Sequence, residues 1–417
     1  MTRFKKDFWT PGFHQHLWLY PGSLLSKIRG FYDSDLIKIL VGIRRCGKSV
    51  ILNQIIEELE NKRKINKNHI IFINFEFIEY EELLDYKKLN KYIKEQIKDN
   101  KMYYLFLDEV QNVDNFERVV NSLRASIKNI SIFLTGSNSK MLSDELSSVL
   151  SGRYVLFNIN PLSYKEYVDL TKKDGNDINV FWDYARWGGL PNRCEFDNIV
   201  DIKNYLHSVY DSIILRDVVK RLNLKDTILF DMILQYLIKT TGREFSAENI
   251  CNFLEKEYKK TSTETIYTYI EALCKALIIK KVYRYDIAGK GVLKTLNKYY
   301  ATDLGIAQIK NSNPEFKNYI ILENVVYNEL INRGYNVYIG KTKNGEVDFI
   351  AIKDGNTKYI QVTYELKDTK TIEREFNAFK TIEDNYPKYI ISLDKEDYSK
   401  DGIINLNLID FLLNDIF

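Results

Sequence analysis

The residues Gly42-Ile43-Arg44-Arg45-Cys46-Gly47-Lys48-Ser49 have the spacing of a phosphate-binding loop: two glycines five apart, then a lysine and a hydroxyl. Glycine allows backbone angles that other residues resist, so successive N–H groups through Val50 can curl around a β-phosphate. Lys48 then reaches the β- and γ-phosphates, Ser49 holds Mg²⁺, and the N-terminus of the following helix favours the anion. Such chemistry serves a nucleoside triphosphate. A second group answers the first. Tyr103–Glu109, YYLFLDE, is an apolar run ending in two carboxylates. In that Walker B arrangement Asp108 orders the metal and Glu109 polarises the attacking water.

Two further positions could complete a hydrolytic site. The apolar run Ile132–Thr135 leads into Gly136-Ser137-Asn138, and ligands of open parallel sheets lie at the carboxyl ends of strands. Ser137 or Asn138 can therefore sense the γ-phosphate or the lytic water; the alternative is an ordinary helix N-cap. Arg153 stands just before the next apolar run, where it can face a neighbouring subunit's nucleotide or simply pair on the surface.

These groups need a scaffold. Short β-rich runs recur at Leu36–Val41, Ile70–Phe75, Tyr103–Leu107, Ile130–Thr135 and Tyr154–Ile159, with helical periodicity between them, as in Asn115–Lys128. Strands alternating with helices predict a parallel sheet covered on both faces. From Pro161 a helical region runs to about Lys225, broken by Gly188-Gly189-Leu190-Pro191. Residues 228–310 read as three helices, Ile228–Thr241, Ser246–Tyr258 and Ser262–Leu277, then a hairpin of Ile278–Tyr285 and Leu296–Tyr300. That order predicts a winged helix-turn-helix. The remainder opens with a helix, Tyr319–Arg333, continues through strands Val337–Ile339, Val347–Ile352 and Tyr359–Tyr364, and ends with a helix near Ile372–Thr381 and a strand at Tyr389–Ser392.

The runs GIRRCGKS, LFLDEVQNV, IFLTGSNSKML, LSGRYVLFNINPLSYKEY and GGLP resemble prokaryotic AAA+-type ATPases of about 400 residues. In these an ATPase core precedes a C-terminal region of unknown function. LRDVVKR, KYYATDLGIA and ENVVYNEL…GEVDFIA…IQVTYEL extend the resemblance over nearly the whole chain, in the family's order. It implies ATP as the nucleotide and an AAA+ fold. It implies no cellular role. The expected fold class is thus α/β: a P-loop AAA+ core with a parallel five-stranded sheet (36–160), a helical lid (161–227), a winged helix-turn-helix (228–310) and a C-terminal α/β restriction-endonuclease-like domain (311–417), after an N-terminal extension (1–35).

Glu323, Glu346, Asp348 and the strand Tyr359–Tyr364 carry the nuclease-like resemblance. Nucleases of that fold pair these acids with Glu-x-Lys on the next strand, to bind Mg²⁺ and stabilise the attacking hydroxide. Here the strand reads Gln361-Val362-Thr363. Glu365-Leu366-Lys367 spells the motif again, but along an extended strand it would lie roughly 13 Å further on. The expectation is a degenerate nuclease fold used for binding.

Composition narrows the partners. Sixty Lys and Arg nearly balance 57 Asp and Glu, a net charge of +3 that gives little general pull toward nucleic acid. Lys256, Lys259, Lys260, Lys275, Lys280, Lys281, Arg284, Lys290 and Lys294 surround the expected recognition helix, but that helix also holds Glu264 and Glu271. Double-stranded DNA and a protein client both remain open as partners, as does a homo-oligomer. Cys46, Cys194, Cys251 and Cys274 are scattered without a CxxC pair, which fits a reducing cytosol. MTRFKKDFWTPGF has no leader-like apolar run, and no 18-residue apolar stretch predicts a membrane span. His14 and His16 lack companions for a metal site. The expected activity is Mg²⁺-dependent ATP hydrolysis that moves the later modules. The other readings are a DNA-binding regulator or defence protein with ATP as ligand, and an ATP-gated nuclease.

Overall fold

A computed structural model describes residues 22–137, 150, 152–219, 226–240, 242–310, 318–343 and 345–416. The first sheet holds β1 (Ile37–Val41), β2 (Ile70–Asn74), β3 (Tyr103–Asp108), β4 (Ile130–Gly136) and β5 (Tyr154–Asn158) in the order β2-β3-β4-β1-β5, all parallel. All five expected strands are present to within a residue or so. The central strands β1, β3 and β4 are buried at every position, because helices cover both faces; the edge strand β2 alternates. Before the sheet lies a helix, α1 (Gly22–Arg29), tied to the core by Arg29 pairing with Glu58. One face packs on α2 (Lys48–Glu57) through Ile51, Leu52 and Ile55. The other packs on α3 (Tyr86–Gln96) and α4 (Phe116–Ser126) through Leu89, Ile93, Val119 and Leu123.

A helical region follows as expected: α5 (Tyr164–Thr171), α6 (Ile178–Trp187) and α7 (Ile199–Ile213). A capping box starts α5, in which Ser163 Oγ accepts from Glu166 N and the Glu166 carboxylate accepts from Ser163 N. Three more helices, α8 (Thr227–Lys239), α9 (Ala247–Glu257) and α10 (Thr263–Lys275), lead into an antiparallel hairpin of β6 (Ile279–Asp286) and β7 (Gly291–Ala301). The second strand is longer than its apolar pattern suggested, beginning at Gly291 rather than Leu296.

The hairpin does not end its own module. Arg284, Tyr285 and Asp286 pair in parallel with Ile339, Gly340 and Lys341 of β8 (Asn336–Lys341). Together with β9 (Glu346–Lys353), β10 (Asn356–Val362), β11 (Lys388–Ser392) and β12 (Ile403–Asn407) it forms one seven-stranded sheet, in the order β12-β11-β10-β9-β8-β6-β7. That sheet runs across residue 310, where the sequence suggested a boundary. After α11 (Leu304–Ile309), α12 (Asn318–Asn332) lies against this sheet and against α6, and every residue from Ile320 to Leu330 except Asn328 is buried. Two shorter helices, α13 (Thr369–Asn377) and α14 (Leu408–Leu413), complete the unit.

Candidate nucleotide site

The phosphate loop joins the carboxyl end of β1 to the start of α2, so the first N–H groups of α2 have no partners within the helix. Glycine is required at Gly42 by crowding, since a Cβ there would come within 2.1 Å of Ile159 O and 2.6 Å of Cys46 Sγ. At Gly47 it is required by a left-handed φ of 99°. Lys48 is 4% exposed and donates to the loop's own carbonyls, Gly42 O at 3.1 Å and Ile43 O at 3.2 Å. Its ammonium also stands 3.8 Å from Glu109 Oε1. Arg44 turns inward to Glu76 at 2.5 Å, just past the end of β2, whereas Arg45 is exposed.

Asp108 ends β3 and is fully buried. It accepts hydrogen bonds from Asn74 Nδ2 (2.8 Å), from Thr135 Oγ1 (2.5 Å) and from the Ser49 hydroxyl. Burial, reinforced by the neighbouring Glu109 charge, pushes its carboxyl up to about 6 against the pull of those hydroxyls and of Lys48. Glu109 sits in a left-handed conformation, φ 54°, with its N–H donated to Thr135 Oγ1 at 2.8 Å. A non-glycine residue in that region is uncommon and here turns the carboxylate into the site. Ser137 Oγ donates to Glu109 Oε2 at 3.1 Å, and Gln111 donates to the same oxygen. Burial raises the Glu109 carboxyl, but Lys48, Gln111, Arg44 and Ser137 outweigh it and hold it below its usual value.

Gly42–Ser49, Asp108, Glu109 and Ser137 are therefore brought together at one carboxyl edge. Asn138 lies outside the described residues, as do His14 and His16. Arg153 is exposed and lies at the opposite edge: Ile37 N donates to Arg153 O, and Tyr154 pairs with Ile37 at the start of β1. Asn74, Thr135, Gln111 and Glu76 were not foreseen. Their one signal is a polar residue at or just beyond the end of an apolar strand.

An AAA domain model matches residues 34–168, and two domains of unknown function match residues 178–315 (DUF8612) and 320–411 (DUF4143). An uncharacterized protein of Haemophilus influenzae is 36% identical over 397 residues, covering 93% of this chain and 97% of the relative. This chain belongs to that family of AAA-domain proteins. The uncharacterized protein MJ1544 of Methanocaldococcus jannaschii is 33% identical, over 87% of this chain and 83% of its own. Among solved structures, the Walker-type ATPase of Pyrococcus abyssi matches 69% of this chain and 93% of its own, at 16% identity and a TM-score of 0.44. All the residues gathered at the carboxyl edge, and Arg153, fall inside the matched AAA domain.

The AAA-domain protein has a second, partly buried cluster of carboxylates, in its last module. Glu323 on α12 accepts from Tyr300 OH at 2.6 Å, and Asp348 Oδ2 accepts from Val362 N at 2.8 Å. Asp348 N donates to Gln361 Oε1 at 3.1 Å, so Gln361 stands in the strand as an uncharged partner. Lys298 of β7 reaches in from the hairpin, in direct contact with Glu346 and 3.8 Å from Glu323 Oε1. Burial and the Glu323 charge push the Asp348 carboxyl well above its usual value. Burial lowers Lys298, but Glu323, Glu346 and Asp348 overcome it and raise the ammonium. Glu365 and Lys367 lie beyond the end of β10 and pair with each other at 2.6 Å, so the strand alternation does not extend to them. Among the described residues no group of three His, Cys, Asp or Glu side chains is arranged to hold a metal.

Proposed function

We propose that this protein is a Mg²⁺-dependent ATPase whose turnover is transmitted to the modules beyond its lid. The convergence of Lys48, the Ser49–Asp108 pair and the Glu109–Ser137 pair on one carboxyl edge carries that reading. Lys48 exchanges its two carbonyl acceptors for β- and γ-phosphate oxygens, and the loop N–H groups through Val50 cradle the β-phosphate. A hydroxyl and a carboxylate already in contact fit a hard divalent cation, so Ser49 and Asp108 would hold it. Mg²⁺, when bound, supplies neutralising charge to the β- and γ-oxygens. Glu109, kept ionised by its cationic and amide neighbours, polarises the attacking water while Ser137 and Gln111 fix its orientation.

Arg153, at the far edge of its own sheet, stands one strand length from its own loop, about 17 Å. In this reading it serves a neighbouring subunit's nucleotide in a homo-oligomer. The working units are the core (36–160), the lid (161–227) and a body made of the winged-helix-like helices, hairpin and last module; their shared sheet supports movement of this body as one piece. No disulfide joins the four cysteines, as a cytosolic protein allows. The exposed face of α10 carries Glu264, Tyr267 and Glu271, with Glu271 paired to Lys275, which favours a protein client over a DNA groove. Lys298 among the acids disfavours nuclease chemistry.

Purified Lys48→Ala should lose ATP binding. Glu109→Gln should keep it while turnover falls by about 10²–10³. Normal turnover in Glu109→Gln would sink the assignment of the base. Steeply salt-dependent binding of double-stranded DNA, with stimulated turnover, would reverse the choice of client.

A further inference from the structure

Lys280 is the second residue of β6, outside the matched AAA domain, yet its ammonium reaches the nucleotide edge of the first sheet. It donates to Asn160 Oδ1 at 2.8 Å, two residues past the end of β5. The strand β5 neighbours β1, and Ile159 O lies against Gly42 at the root of the phosphate loop. Burial pulls Lys280 down to about 8, and among the described residues the one ionisable group acting on it is the thiol of Cys46 in that loop. Among the described residues no carboxylate pairs with it. A half-buried lysine whose partner is a single amide oxygen is costly to keep charged unless an anion arrives.

The anion this edge is built for is the nucleotide, a premise that rests on the function proposed above. The metal and terminal-phosphate groups, Asp108, Glu109 and Ser137, all come from β3 and β4 on one side of β1. Lys280 and Asn160 stand on the β5 side, so they face the other end of a nucleotide lying across the loop. We propose that Lys280, with Asn160, binds the α-phosphate and ribose end of the nucleoside triphosphate, so that the hairpin touches the nucleotide directly. Nucleotide occupancy would then be communicated to the seven-stranded sheet through β6 itself, without passing through the lid.

The test is calorimetric titration of the full chain with ATP and with ADP. Lys280→Met should weaken both by the same factor, about tenfold, the value of one charged hydrogen bond, while Lys280→Arg keeps most of the affinity. Asn160→Asp, which would hold the ammonium in an ion pair, should also weaken both nucleotides while the melting temperature holds or rises. Unchanged affinities in folded Lys280→Met and Asn160→Asp would overturn the proposal and leave Lys280 a strut between modules. A loss for ATP alone would overturn its placement at the nucleoside end. Lys48→Ala in the same assay separates the two readings: if it too binds normally, the loop assignment fails rather than the role of Lys280.

Discussion

Lys48 and Lys298 are both nearly fully buried ammonium groups, 4% and 2% exposed, and each has a glutamate oxygen 3.8 Å away. Lys48 spends its hydrogen bonds on two carbonyls of its own loop, acceptors that a phosphate can replace. Lys298 touches Glu346 directly and lies beside Glu323, and three carboxylates together raise its proton affinity. The carboxylates differ in the same sense. Asp108 is held by the neutral donors Thr135, Asn74 and Ser49, which fix its position without cancelling its charge, whereas Glu109 is held by Ser137 and Gln111 and faces Lys48 at 3.8 Å without direct contact. Glu323 and Glu346 are neutralised by a lysine. A cluster whose lysine is tied to neutral carbonyls keeps room for an anionic ligand and its metal; one whose lysine touches a carboxylate is finished as it stands.

The largest effects should come from exchanging the two lysines' roles by mutation. Lys298→Met leaves buried carboxylates without a counter-charge and should cost about 3–5 kcal/mol in urea unfolding, with ATP affinity unchanged. Adding Glu346→Gln should recover part of that loss, because the orphaned charge is removed. Lys48→Ala should show the reverse pattern: nucleotide binding lost, and a smaller loss of stability in the nucleotide-free protein than Lys298→Met causes, since its two hydrogen bonds go to neutral carbonyls and Glu109 keeps Ser137 and Gln111 as donors. If Lys298→Met unfolded no more easily than Lys48→Ala, the contrast between a finished and a waiting cluster would be broken.

The next effect is in pH dependence. Asp108 is raised in the folded protein from its usual 3.8 to about 6. A carboxyl raised by folding contributes stability that is fully present below its unfolded value and is lost as pH rises through the folded one. Between pH 4 and 6 the nucleotide-free protein should therefore lose on the order of 3 kcal/mol from this group. Asp108→Asn should flatten that part of the curve. Affinity for the metal–nucleotide complex should run the other way, falling as the solution is acidified below about pH 6, because the ligand needs the ionised carboxylate.

The phosphate loop and the Asp108-Glu109 pair were legible because each is a dense local pattern attached to a strand of the right kind. The parallel sheet was legible for a similar reason: its strands are short, apolar and regularly interrupted. Asn74 and Thr135 were not, since a single polar residue closing an apolar run resembles any strand end; only the pairing of Asn74 beside Asp108 gives it meaning. Lys298 was hidden more deeply. Its partner Glu346 is far along the chain, and the two meet through the parallel contact of β6 with β8, which no local periodicity announces. The same contact joined the two modules that composition and pattern had separated at residue 310.

Thr135 allows the smallest and sharpest test of how the waiting site is built. Its hydroxyl accepts from Glu109 N at 2.8 Å and donates to Asp108 Oδ1, so one neutral atom fixes both carboxylates. Thr135→Val keeps the shape of a fully buried side chain and removes both bonds, leaving a buried N–H and a buried carboxylate oxygen each short of a partner. The expected stability loss is about 1–3 kcal/mol, comparable with other buried groups left unsatisfied. Its functional mark should be a rise in the Mg²⁺ concentration needed for half-maximal ATP turnover, because Asp108 loses the donor that favours its ionised form. Thr135→Ser restores the hydroxyl and should recover most of both effects. If Thr135→Val lost stability but kept its Mg²⁺ requirement, the neutral donors would be supporting the fold alone, and the distinction between the two clusters would rest on Lys298.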